Sequence, residues 1–203
     1  MTAQATRQRK PLSLQLPSEV ALQVTSEQFE ALAAANPDLR LERNEIGELI
    51  VSPPTGGEAG RRNLSISGQL SNWFEANDGL GEAFDSSTGF KLPNGANRSP
   101  DASWVRKERW EALTPEHREG FVPLCPDFVI ELRSKTDSLK DLRGKMEEYR
   151  SNGARLGWLI DPKSKLVEVY RLGQPVEVLE NPSTLSGEGV LPGFTLNLKR
   201  VLN

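Results

Sequence analysis

The stretch PDFVIELRS, residues 126–134, combines the apolar content of a buried strand with three charged residues. A strand points alternate side chains to opposite faces, so the charges and most apolar residues separate. The apolar face consists of Phe128, Ile130 and Leu132. The other face consists of Asp127, Val129, Glu131 and Arg133. Because burying an unpartnered charge is costly, the charged face must either meet solvent or be bound by something else.

Length and composition predict one soluble domain. The chain has 203 residues, of which 36% are hydrophobic and 26% are charged. It contains no apolar run approaching the ~18 residues that span a bilayer, and no apolar segment follows the basic residues near the N-terminus. We therefore expect a cytoplasmic protein with no membrane association. Residues 1–24 are predicted to be a poorly ordered N-terminal extension, and residues 25–203 a single folded domain.

The chain has one cysteine, Cys125, and one histidine, His117. These numbers exclude an intramolecular disulfide and a cysteine zinc cluster, and they argue against a Ser-His-Asp triad or a histidine-rich metal site. Any catalysis must therefore rest on carboxylates, lysines or arginines. The net charge of −3 does not decide whether nucleic acid is bound, because lysine and arginine can concentrate in one cleft.

Periodicity along the chain predicts alternating helices and strands. Helices are expected after Thr25, which forms a capping box with Gln28, over residues 57–76, and between Ser138 and Asn152. Strands are expected in a hairpin at 39–51, at 101–105, at 126–133, and in LGWLID, LVEVYR and PVEVLE at 156–161, 166–171 and 175–180. This order predicts a layered domain with a mixed sheet, either α/β or α+β.

Two Pro-Asp pairs begin predicted strands, which leaves Asp101 and Asp127 at an accessible end of the sheet, where we expect both to reach solvent. If the strands at 101–105 and 126–133 are neighbours, Asp101 and Glu131 lie within roughly 5 Å, the spacing of a cross-strand pair. Two carboxylates at that distance repel each other unless a cation separates them. Mg²⁺, which prefers carboxylate oxygens and retains water, is the natural cation. Arg133, on the same strand face as Glu131, is a candidate to stabilise charge on a phosphodiester under attack.

Three segments together resemble a known family. They are SPDASW at 99–104, PDFVIELRS at 126–134 and KMEEYRSNGARLGWLIDP at 145–162. In this combination they resemble the Uma-type family of restriction-endonuclease-like proteins, from about residue 39 to LPGFTLNL at 191–198. The resemblance implies the PD-(D/E)XK nuclease superfamily. It therefore implies an α/β fold with a restriction-endonuclease-like mixed sheet flanked by helices, and divalent-metal-dependent cleavage of DNA.

The resemblance assigns roles to individual residues. Asp101 resembles the first acid of the motif, Glu131 the second, and Glu58 a helix glutamate that joins the metal shell. An acid in the first turn of a helix also complements the helix dipole, which is the alternative explanation for Glu58. Position 133 should hold the motif lysine, but Arg133 stays protonated and cannot act as a base. Lys145 on the following helix is a candidate replacement, with a solvated surface lysine as the alternative.

We therefore expect a Mg²⁺-dependent endonuclease, with Mn²⁺ as a substitute metal and DNA as its partner. One alternative is a nuclease-like DNA-binding protein that has lost turnover. A second is that the charged face of residues 126–134 is a solvated row of ion pairs that contributes little to stability. We also expect a homodimer, because one site cuts one strand and symmetric pairing supplies the second cut.

Overall fold

The structure is a computed structural model that describes residues 21–203. Of the predicted N-terminal extension, residues 1–20 lie outside the described part. Residues 22–24 lie along the hairpin, where Leu22 accepts a hydrogen bond from the Leu49 N–H and Val24 donates one to Gly47. These three residues therefore pair with the hairpin strand.

The elements are numbered in chain order. The helices are α1 Ser26–Ala35, α2 Gly57–Ala76, α3 Lys107–Glu111, α4 Pro115–Glu119, α5 Leu139–Ser151 and α6 Lys199–Leu202. The strands are β1 Arg40–Arg43, β2 Leu49–Ser52, β3 Gly81–Asp85, β4 Phe90–Lys91, β5 Asn97–Arg98, β6 Ala102–Arg106, β7 Phe128–Leu132, β8 Leu156–Asp161, β9 Leu166–Arg171, β10 Glu177–Glu180, β11 Thr184–Ser186 and β12 Thr195–Asn197.

A mixed six-stranded sheet forms the centre of the molecule, in the order β10-β9-β8-β7-β6-β3. Strands β7 and β8 are parallel, and the other neighbours in this sheet are antiparallel. Parallel neighbours need a crossover connection, which α5 provides here. The predicted α/β fold with a mixed sheet flanked by helices is therefore confirmed.

The two faces of β7 pack against different helices. Its apolar face joins one core cluster with Ile66, Leu70 and Trp73 of α2. On the opposite face, Val129 packs in a second cluster with Met146 and Tyr149 of α5. This arrangement confirms the alternation predicted for residues 126–134. Helix α5 approaches the sheet closely at Gly157, where an added Cβ would lie 2.6 Å from the Met146 methyl carbon.

A second sheet, in the order β2-β1-β5-β4, contains the N-terminal hairpin. Strands β1 and β2 form the predicted antiparallel hairpin, and β1 also pairs with β5 through Arg43 and Asn97. This pairing places β1 beside the chain that leads into β6. Strands β11 and β12 form a small separate hairpin. Within residues 21–203, no helix has both the length and the apolar character needed to cross a bilayer.

Candidate active site

Asp101 and Glu131 face each other across two neighbouring strands. Strand β6 pairs antiparallel with β7, with Ala102 opposite Ile130, and this register puts Asp101 opposite Glu131. The Asp101 N–H donates to the Ile130 carbonyl at 2.9 Å, and the Leu132 N–H donates to Asp101 Oδ2 at 2.8 Å. The condition that these two strands are neighbours is therefore met. Their backbone holds the Asp101 carboxylate beside the strand that carries Glu131.

Helix α5 brings two polar side chains to Glu131. Lys145 Nζ lies 2.8 Å from Glu131 Oε1, and the Tyr149 hydroxyl donates to the same oxygen at 3.0 Å. Positions 145 and 149 are one helical turn apart, so both can face one point on the sheet. The Lys145 side chain is only 11% exposed. The alternative of a solvated surface lysine is therefore wrong.

A third acid, Glu42 of β1, completes the surroundings of Lys145. Its Oε1 lies 2.8 Å from Lys145 Nζ and accepts a hydrogen bond from the Ser99 N–H at 2.9 Å. Its Oε2 lies 3.4 Å from Arg98 Nη1, and Arg98 in turn bonds to Glu148 of α5. The sequence patterns did not single out Glu42. The available signal was a charged residue on the side of the hairpin opposite Leu41, but nothing local indicated what that side packs against.

The pKa values of the two acids that share Lys145 shift in opposite directions. Burial raises the pKa of Glu131 to about 7; Lys145 opposes this shift, while the negative charges of Asp101 and Glu42 add to it. Burial also acts to raise the pKa of Glu42, but Lys145 and Arg98 outweigh it and lower the pKa. Burial acts to lower the pKa of Lys145, and the two acids outweigh it and raise the pKa. The site thus holds a lysine that stays protonated beside a glutamate whose ionised form is disfavoured by burial.

The charged face of β7 has partners along its whole length. Its three charges pair in order along the strand: Asp127 with Arg109 at 3.1 Å, Glu131 with Lys145 at 2.8 Å, and Arg133 with Asp161 at 2.7 Å. Asp127 and Glu131 are 2% and 3% exposed, and Asp101 is 8% exposed, so the expectation that both aspartates reach solvent is wrong. The alternative of a solvated row of ion pairs is therefore wrong, because protein groups bind these charges inside the molecule.

Arg133 bonds to the acid at the end of β8 and not to Asp101 or Glu131. Its Nη1 bonds to Asp161 Oδ2, and its Nε donates to the Asp137 carbonyl at 3.3 Å. Burial acts to raise the pKa of Asp161, but the hydrogen bonds from Arg133 and Ser164 outweigh it and lower the pKa. Among the predicted site residues, the structure thus brings Lys145 to Glu131 and leaves Arg133 with a different acid.

Glu58 lies at the exposed start of α2. Its side chain is 69% exposed and pairs with Arg61 at 2.8 Å and Arg62 at 3.4 Å, both on its own helix. The hydrogen bond from Arg61 lowers its pKa. Within the described part of the chain, Glu58 forms no hydrogen bond or ion pair with Asp101 or Glu131. Its predicted metal role therefore has no contact to support it.

Two residues that sequence analysis missed contact Asp101. Arg40 Nη1 lies 3.3 Å from Asp101 Oδ1, and its Nη2 donates to the Ser99 carbonyl at 2.6 Å. Asn63 of α2 places its Nδ2 3.5 Å from the same Asp101 oxygen. Asp101 is therefore surrounded by groups from β1, α2 and β7.

The donor set suits a hard divalent cation. Asp101 and Glu131 supply two carboxylates, and Mg²⁺ is commonly held by one or two carboxylates together with waters. The connected cluster contains four acids, Asp101, Glu131, Glu42 and Glu148, and three cations, Lys145, Arg40 and Arg98, so one negative charge remains unbalanced. No group of three or more His, Cys, Asp or Glu side chains suited to a metal occurs in residues 21–203. A cation held by Asp101 and Glu131 would therefore need oxygens other than a third carboxylate to complete its shell.

The family model "Uma2: Putative restriction endonuclease" matches residues 26–199. The chain belongs to this family. The resemblance stated from the three sequence segments is therefore confirmed. A search of curated proteins found no match.

A solved structure shares the fold of this Uma2 family member. It is the crystal structure of "a putative nuclease belonging to DUF820" from Anabaena variabilis, with a TM-score of 0.72 and 22% sequence identity. The match covers 88% of this chain and 97% of the Anabaena chain. Family membership and fold together support a nuclease function.

Proposed function

We propose that this protein is a divalent-metal-dependent endonuclease that hydrolyses DNA phosphodiester bonds. The observation that carries the proposal is the constellation at the β6–β7 pair: Asp101 opposite Glu131, with Lys145 Nζ 2.8 Å from Glu131 Oε1. Two acids and a lysine at one end of a mixed sheet correspond to the motif of the nuclease superfamily that this family resembles. Here the lysine comes from α5 and not from the strand that carries Glu131.

Asp101 and Glu131 would hold Mg²⁺, or Mn²⁺ in its place. A bound metal of this kind activates a water molecule and neutralises charge on the phosphodiester. Burial raises the pKa of Glu131, which means that its ionised form is unfavourable in the metal-free protein. A metal cation beside this carboxylate would stabilise the ionised form, so burial of Glu131 favours metal binding once the proton is lost. Asp101 is held in position by the Leu132 N–H, which fixes one of its oxygens.

Lys145 would act as a hydrogen-bond donor and a positive charge. Because Glu131 and Glu42 raise its pKa, it keeps its proton and cannot serve as a general base. Its ammonium can orient a water or bind a phosphate oxygen next to the acid pair. Arg40 supplies the cation at Asp101, and its side chain is 29% exposed, so its guanidinium can also contact a phosphate group.

We propose a homodimer as the acting form, since two symmetric sites would cut both strands of a duplex. Sedimentation at micromolar concentration tests this assembly. A monomeric mass both with and without DNA would contradict it.

The test of the function is nicking of supercoiled plasmid with Mg²⁺ or Mn²⁺, beside EDTA and two variants. Glu131→Gln removes the charge of an acid in the site, and Glu75→Gln removes that of an exposed acid on α2. We expect nicking by the wild type and by Glu75→Gln, and none by Glu131→Gln or in EDTA. If the wild type binds the plasmid but never cuts it, the protein is instead a DNA-binding protein on a nuclease scaffold.

A further inference from the structure

The acid pair lacks the third side-chain ligand that helix α2 was predicted to supply. Glu58 pairs with Arg61 and Arg62 on the exposed side of that helix. Since α2 has 3.6 residues per turn, position 58 lies about 140° around the helix from position 63. Packing of α2 on the sheet through Ile66 and Leu70 therefore turns position 63, and not position 58, toward Asp101.

Asn63 carries an oxygen that has no partner. Its Nδ2 lies 3.5 Å from Asp101 Oδ1, at the limit of a hydrogen bond, and its Oδ1 is buried and accepts no hydrogen bond from residues 21–203. A buried acceptor left without a partner costs about 1–3 kcal/mol, so such atoms are rare unless something else binds them. The unpartnered oxygen lies on the amide group that contacts one of the two acids.

We infer that Asn63 is the third protein ligand of the metal, through its carboxamide oxygen. This inference rests on the proposed function and deepens it. A carboxamide oxygen is a hard ligand that carries no charge. Neutrality suits this site, because its four acids already outnumber its three cations by one, and another carboxylate would add repulsion in the metal-free protein.

A competing explanation is that Asn63 matters only through its amide N–H, as a donor that positions Asp101. The two roles respond oppositely to Asn63→Asp, which has nearly the same shape. As a ligand, an aspartate oxygen replaces the amide oxygen and adds negative charge. As a donor, an aspartate has no N–H and repels Asp101.

Mn²⁺ titration followed by electron paramagnetic resonance measures the affinity without relying on cleavage. We expect Asn63→Ala to weaken Mn²⁺ binding about tenfold or more, as loss of a metal-supporting group does. We expect Asn63→Asp to bind Mn²⁺ at least as tightly as the wild type. The metal-free form of Asn63→Asp should melt at a lower temperature than the wild type, and Mn²⁺ should raise its Tm by more than it raises that of the wild type. Glu58→Gln, on the same helix, should stay within about twofold of the wild type.

Each outcome separates the inference from the proposed function. If Asn63→Asp loses Mn²⁺ as Asn63→Ala does, the amide N–H is the important group and the inference is wrong. It is also wrong if Asn63→Ala binds Mn²⁺ like the wild type while Asp101→Asn does not, and in that case the proposed metal site survives. If the folded wild type binds no Mn²⁺, both the inference and the proposed function fail.

Discussion

Replacing Glu131 with glutamine should stabilise the metal-free protein at pH 8. The Glu131 carboxylate is 3% exposed and lies near the negative charges of Asp101 and Glu42. Lys145 alone does not compensate for this burial, as the raised pKa shows. Glutamine has the shape of the protonated acid, and its oxygen can still accept hydrogen bonds from Lys145 and Tyr149. The variant therefore removes an unfavourable charge and leaves these contacts in place.

The magnitude follows from the two pKa values of Glu131. Its pKa is about 7 in the folded protein, against an ordinary value of 4.5. One pKa unit corresponds to ~1.4 kcal/mol, so the ionised side chain costs the fold about 3 kcal/mol above pH 7. Between these two pKa values the folded state keeps a proton that the unfolded state has released. The free energy of unfolding therefore falls as pH rises through this window.

Urea unfolding in EDTA, followed by tryptophan fluorescence, measures this difference. Relative to the wild type, Glu131→Gln should gain about 3 kcal/mol in the free energy of unfolding at pH 8, and less than about 1 kcal/mol at pH 5. Glu75→Gln, which removes an exposed acid, should change little at either pH. If Glu131→Gln is less stable than the wild type at pH 8, the interaction with Lys145 outweighs the burial of Glu131 and the reasoning is wrong.

Three further predictions concern the same cluster. Lys145→Met leaves Glu131 and Glu42 buried without their shared cation. In urea unfolding at pH 8 it should lower the free energy of unfolding by about 3–5 kcal/mol, and it should abolish plasmid nicking. Normal stability of this variant would contradict the buried pairing. Arg133→Leu should cost about 3 kcal/mol in the same urea assay, because Asp161 loses its buried partner. It should leave Mn²⁺ affinity within about twofold, and a larger loss would place Arg133 in the metal site. Mn²⁺ affinity should fall roughly tenfold for each pH unit below about 7, because the metal competes with the proton on Glu131. Calorimetry in two buffers of different ionisation enthalpy would detect the proton that Mn²⁺ binding releases. An affinity that does not change with pH would exclude Glu131 as a ligand.

Local patterns predicted most of the fold. The alternation in residues 126–134 correctly separated the two faces of β7, because strand geometry alone dictates which side chains share a face. The capping box at Thr25 and the apolar stripe after Gly57 correctly located α1 and α2. The two Pro-Asp pairs correctly began strands, since proline cannot donate to a sheet. All these signals lie within a few residues of the structure that they predict.

The sequence by itself determined the strand that carries Glu131, the position of Asp101 before a neighbouring strand, and the helix that carries Lys145. Only the tertiary structure decided the partners of these groups: Glu42 arrives through the pairing of β1 with β5, and Asn63 through the rotation of α2 on the sheet. It also decided that Arg133 bonds to Asp161. The physical reason is that strand pairing and helix rotation depend on packing between segments far apart in the chain, and such packing leaves no mark in the local sequence.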